Sequence, residues 1–258
     1  MSKLSNALYE IHHMDTIAER DQWVNHIHPL VKLVLTLSFI AITVSFSKYD
    51  LTGLLRMGIY LIVVFILGDI SFRDSLRRLR IVLPLVCFMG LFNPFFDREP
   101  CLQIGSVMIT GGMISMLTLM IKGIYSVLAA YLLIATTSIE KICYALRLIH
   151  VPAILVTQIL LTYRYVSVLL EEANRIMQAY SLRAPNQKGI HFKVWGSLAG
   201  QLLLRSMDRA NEVYESMTLR GYRGEFYYAA KEPCKGKDYA YLILWLAIFG
   251  VLKFVRLG

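Results

Sequence analysis

Apolar residues run nearly unbroken through several stretches of this chain and then give way to mixed segments. The runs cover residues 30–46, 51–68, 81–96, 111–137 and 239–254. Each reaches or approaches the ~20 apolar residues needed to cross ~30 Å of hydrocarbon. Pro29 precedes the first run, and a loop at 97–103 and the step Thr110-Gly111-Gly112 separate the third from the fourth. Residues 1–29 form a polar, partly amphipathic lead-in. It has no apolar run before a small-residue cleavage site, so no signal peptide is expected.

Between the fourth and fifth runs the pattern changes. Residues 139–149 predict a short amphipathic helix capped by Ser138, broken at Val151-Pro152. Residues 153–182 predict a long helix, apolar early and charged late, with Glu171 and Arg175 spaced as a helical ion pair. Pro185-Asn186 ends it and Lys188-Gly189 makes a linker. Residues 191–220 predict another long helix, stopped by Gly221. Each long helix would extend about 45 Å if straight. Both are too polar late in their length to span lipid, so they are expected on or under the membrane surface.

Composition agrees with a polytopic membrane protein, 56% hydrophobic and 17% charged. Basic residues then set the expected orientation. Residues 71–80 carry Arg73, Arg77, Arg78 and Arg80 against Asp74, whereas Asp97, Arg98 and Glu99 nearly cancel. Segment 139–237 holds 14 Lys/Arg and 8 Asp/Glu. Five spans thus place the N-terminus and 139–237 in the cytoplasm and the C-terminus outside. The expected fold is all-α, with about five transmembrane helices and long cytoplasmic amphipathic helices. Its parts are a lead-in (1–29), four spans (30–138), a cytoplasmic region (139–237) and a last span (238–258).

The cytoplasmic region repeats a phrase. Ala173-Asn174 leads after seven residues to Leu182-Arg183-Ala184, and Ala210-Asn211 leads after seven to Leu219-Arg220-Gly221. An arginine in a helix's last turn is favoured by the helix dipole alone. Two copies in matched context favour a docking role. The small follower leaves room for another backbone, and the arginine can fork onto a carboxylate. A two-fold-symmetric partner would own two such grooves.

Thr136-Thr137-Ser138, Ala145-Leu146-Arg147, His150-Val151-Pro152, the run Gln158 to Tyr165 and Leu170-Glu171-Glu172-Ala173 follow in order. Together they resemble the transmembrane T component of energy-coupling factor (ECF) transporters, of the CbiQ-type cobalt transport family. Leu219 to Gly224 is similar to that family's second signature, and His28-Pro29 with Lys32-Leu33 to its entry into the first span. The resemblance implies two ATP-binding-cassette ATPase subunits as partners, bound through two cytoplasmic coupling helices. It also implies a separate substrate-binding membrane subunit, the S component. Arg183 and Arg220 would anchor in the ATPase grooves, and Ala184 and Gly221 would allow close approach. The chain departs from an Ala-Arg-Gly pattern, since Leu182 and Leu219 stand where alanine is usual.

No Gly-x-x-x-x-Gly-Lys-Ser/Thr loop is present, so ATP hydrolysis is expected from partners and no cofactor or catalytic residue is assigned here. His12, His13, His26 and His28 cluster early, without a ligand set at metal-binding spacing. Lys122 falls inside the fourth apolar run, where a charge costs ~2.5–3.5 kcal/mol on insertion scales unless it finds a partner or an interface. Cobalt, nickel and vitamin importers share this architecture by resemblance. An integral-membrane enzyme acting on lipid-linked substrates is the alternative function. A nucleic-acid partner is not expected, because the basic helices lack interleaved aromatic residues.

Overall fold

A computed structural model describes residues 16, 22–48, 50–70, 75, 84, 88, 90, 100–104, 107–184, 190–224 and 234–254. Among them the chain is almost wholly helical. The helices are α1 (Pro29–Ser45), α2 (Leu51–Leu67), α3 (Gly111–Thr136), α4 (Ile139–Leu148), α5 (Ala153–Arg183), α6 (Trp195–Leu219) and α7 (Gly236–Phe254). Two compact units form. One comprises Ile17–Ser138 with Glu232–Gly258, the other Met1–Thr16 with Ile139–Lys231.

In the first unit, α1, α2, α3 and α7 are the first, second, fourth and fifth apolar runs. The third run, 81–96, and the basic loop 71–80 lie outside the described residues apart from isolated positions. The loop residues Asp97, Arg98 and Glu99 also lie outside them. The rest of the expected loop 97–103 is extended instead. Strands β1 (Pro100–Ile104) and β2 (Val107–Thr110) pair antiparallel, with Leu102 opposite Ile109 and Ile104 opposite Val107. Branched Ile104, Val107 and Ile109 favour that conformation.

Local chemistry starts the helices. His28 caps α1, its Nδ1 accepting from the Leu30 amide at 3.2 Å, and Pro29 fills the first helical position. Asp50 caps α2 by accepting from the Gly53 amide at 3.0 Å. The core then forms along one face of each helix. Val31, Leu35 and Phe39 recur every four residues on α1 and share one apolar core with Leu54, Met57, Tyr60 and Leu61 of α2, the Phe39 and Tyr60 rings lying 4.9 Å apart. Tyr60 packs edge-on against Trp245 and Phe249 of α7, with ring centroids 4.8 and 5.0 Å apart. A Cβ on Gly58 would lie 2.5 Å from the Tyr125 hydroxyl, so glycine lets α2 approach α3 there.

The opposite face is apolar too. Leu55, Ile59, Ile62 and Ile66 form an exposed stripe on α2. A helix apolar all round belongs in lipid. α1 and α2 are apolar helices of 17 residues, and α3 is long and apolar enough to cross a membrane. α7 carries Lys237 and Asp238 in its first turn and Lys253 near its end, framing an apolar middle.

In the second unit, α4 packs on α5 and α5 on α6. The expected helices 139–149, 153–182 and 191–220 appear with small shifts. The last begins as a 3-10 turn at Phe192–Val194 before α6 proper. By length and composition α5 also qualifies as a membrane-crossing helix, because its early half is strongly apolar. The expected Glu171–Arg175 pair is corrected. Arg175 reaches Glu172, at 3.8 Å and one residue nearer, while Glu172 also pairs with Arg205 of α6. Glu172 faces α6 and Glu171 faces solvent, so the shared carboxylate is the one both cations can reach. The linker Lys188-Gly189 lies outside the described residues.

Candidate functional site

The two Leu-Arg-small endings lie at the C-termini of α5 and α6, and both are open to solvent. Leu182 is 82% and Leu219 89% exposed. Large apolar side chains so exposed at helix ends are suited to enter a partner's groove. Arg183 is the last residue of α5, and Arg220 is the first beyond α6.

The endings differ in backbone. Gly221 has φ +84°, and its amide donates to the Thr218 carbonyl at 3.0 Å. The Tyr222 amide donates to the Met217 carbonyl, also at 3.0 Å. This bond pair is the Schellman closure, which needs a left-handed residue and favours glycine. Ala184 has φ −129°, and its amide donates to the Tyr180 carbonyl at 3.1 Å. No left-handed residue is required there, so alanine is tolerated. The difference between Ala184 and Gly221 is thus a difference in how each helix stops.

α4 closes the same way as α6. His150 has φ +67°, the His150 amide donates to the Arg147 carbonyl, and the Val151 amide donates to the Leu146 carbonyl. His150 therefore serves as a turn residue between α4 and α5.

The structure does not bring Arg183 and Arg220 together. Arg220 lies beside Leu161, Arg164 and Tyr165 of α5. Eighteen residues separate Tyr165 from Arg183, roughly 27 Å along that helix. The endings are two separate points on the second unit. At the α6 end they adjoin a groove of about 560 Å³ lined by Arg164, Arg209, Glu212, Arg220 and Tyr222, among others. Arg209 pairs with Glu212 at 3.3 Å. The convergence of three arginines was not singled out from sequence. The signal was present, since Arg209 and Arg220 stand eleven residues apart, three helical turns on one face.

The first unit holds two lysines within its apolar helices. Lys122, in α3, donates to the carbonyls of Val44 at 3.0 Å and Phe46 at 2.5 Å, at the open C-terminal end of α1. Its partner is internal. Lys32, 7% exposed, donates to the carbonyls of Asn25 at 3.3 Å and Thr136 at 2.8 Å. His28 uses Nδ1 as a helix cap, whereas His12 and His13 lie outside the described residues. Among the described residues no group of three or more His, Cys, Asp or Glu stands close enough to hold a metal.

Comparison with known proteins gives consistent relatives. The family model for CbiQ, described as cobalt transport protein, matches residues 20–228. An uncharacterized protein of Methanocaldococcus jannaschii is 27% identical, over 89% of this chain and 81% of its own. The energy-coupling factor transporter transmembrane protein EcfT of Thermosediminibacter oceani is 26% identical, over 78% of this chain and 80% of its own. The nickel permease LarQ of Lactiplantibacillus plantarum is 26% identical over 43% of this chain and 42% of its own.

Proposed function

We propose that this chain, which belongs to the CbiQ family of cobalt transport proteins, is the energy-coupling membrane subunit of an ATP-driven ECF-type importer. Its partners are two ATP-binding-cassette ATPase subunits and a substrate-binding membrane subunit. It transmits ATPase motion through α5 and α6 and does no chemistry of its own.

The observation that carries this reading is the pair of exposed helix ends. Each presents a leucine and an arginine to solvent, and the two are well separated along α5. Two such ends suit two equivalent acidic grooves on an ATPase dimer. Leu182, Arg183 and Ala184 form one contact, and Leu219, Arg220 and Gly221 the other. Arginine suits the contact because its fork can bind a carboxylate bidentately. The Arg205–Glu172 pair links α5 to α6 near mid-length, so a push on either end is shared.

The transported cargo is a transition-metal cation, cobalt by family name, with nickel the second candidate from the LarQ relative. Cargo is selected by the partner membrane subunit. Segment 139–237 and the N-terminus face the cytoplasm, as the basic residues of 71–80 and 139–237 favour.

Reconstitution of this chain in liposomes with its ATPase and substrate-binding subunits tests the reading. ATP-dependent cobalt or nickel accumulation is expected, and it is lost when this chain is omitted. Uptake that proceeds at the full rate without this chain would refute the role.

A further inference from the structure

Two grooves open side by side between α5 and α6, and their linings differ in character. The basic one holds Arg164, Arg209 and Arg220 with a single carboxylate, Glu212. The second, of about 430 Å³, is mainly apolar, with Ile154, Val168 and Leu169 from α5 and Ala210 from α6. They are continuous, since Leu161, Tyr165, Arg209, Val213, Met217 and Tyr222 line both. A site with a cationic end and an apolar trough beside it matches an amphiphile that is anionic at one end.

We propose that this cleft binds an anionic phospholipid, its phosphate between Arg164 and Arg209 and an acyl chain in the apolar trough. Three features select a lipid over a soluble anion or an apolar peptide. First, the trough is walled by the early half of α5, the part apolar enough to reside in a membrane. Second, among the described residues no carboxylate stands within ion-pair distance of Arg164, and Glu212, the one carboxylate in the groove, pairs with Arg209 at 3.3 Å. A phosphate oxygen would give Arg164 a charged acceptor. Third, the trough runs directly out of the basic groove, so one molecule with both chemistries fills both. A free phosphate would leave the trough empty, and an apolar helix of a partner would leave the arginines unanswered.

The consequence is a lipid wedged between the two proposed coupling helices, beside the Arg220 end. This does not rest on ATPase docking, and the variants below leave Arg220 untouched so that the two readings fail separately.

The test is native mass spectrometry on the full chain in detergent, titrated with palmitoyl-oleoyl phosphatidylglycerol or the phosphatidylcholine of the same acyl chains. Phosphatidylglycerol is expected to bind preferentially. Arg164→Gln should weaken it about fivefold, and Arg164→Gln with Arg209→Gln should weaken it further. Ala210→Trp, which fills the trough at a position that does not line the basic groove, should also weaken it. Equal binding of the two lipids, or no loss in the arginine variants, overturns the proposal. So does competition by inorganic phosphate with no effect of Ala210→Trp, which would mark a simple anion site. A cleft that stays lipid-free and is protected from labelling only when the substrate-binding subunit is added would assign it to that subunit instead.

Discussion

Lys32 donates from Nζ to the Thr136 carbonyl across 2.8 Å, joining the first turn of α1 to the last residue of α3. At the other end Lys122 of α3 donates to the carbonyls of Val44 and Phe46 that close α1. The two helices are antiparallel, and a lysine from each satisfies carbonyls at the open end of the other. In lipid no water is available for those carbonyls, so an internal cation is a favourable donor.

Replacing Lys32 or Lys122 by Met therefore leaves helix-end carbonyls without donors. Each change should cost about 1–3 kcal/mol, read as a lower unfolding midpoint in detergent. Lys122→Arg should recover part of the loss because a cation remains. Wild-type midpoints in both Met variants would mean that these bonds contribute nothing.

The helix endings predict unequal tolerance. Gly221→Ala forces an L side chain into a left-handed conformation, at a cost of about 1–2 kcal/mol. The cost is in the backbone, since a Cβ there meets nothing within 4 Å. The Tyr222 amide, bonded to the Met217 carbonyl, should then exchange hydrogen faster. Ala184→Gly should change local exchange little. Equal effects at both positions would contradict the distinction between the two stops.

Much of this was legible in the chain. The apolar runs match α1, α2, α3 and α7, and Pro29 marks the start of α1 that local capping enforces. Gly221 marked the end of α6 for the same local reason. Long-range pairings were not legible. Lys32 and Thr136 are 104 residues apart, and an apolar run containing lysine does not say which carbonyl it meets. Arg175 and Arg205 share the Glu172 carboxylate, and the Arg205 contact joins α6 to α5, which helix spacing alone does not encode. Strand β1 overlaps the loop expected at 97–103, because a strand of five residues is too short to separate from turn residues by pattern.

Cys143 offers a pH-dependent check on α4. Burial, with the nearby Glu140 carboxylate second, pushes its thiol above the ordinary value. The thiol is thus protonated at neutral pH, and the thiolate is disfavoured in the folded state. The associated stability is full below the unfolded thiol's pKa and declines as pH rises through the raised one. In a variant retaining only Cys143, alkylation should be slow at neutral pH and accelerate only at higher pH than in the denatured chain. Matching pH profiles would show that the site is open.

In the proposed function, Arg183 and Arg220 are the two anchors for partner ATPases. The most direct measurement is the affinity of the purified ATPase subunits for this chain, compared with Arg183→Glu, Arg220→Glu and the double variant. Each single change should weaken binding about 30-fold or more, as for a buried interface anchor, and the double change should abolish co-purification. Wild-type affinity in the double variant, with the chain still folded, would contradict the account.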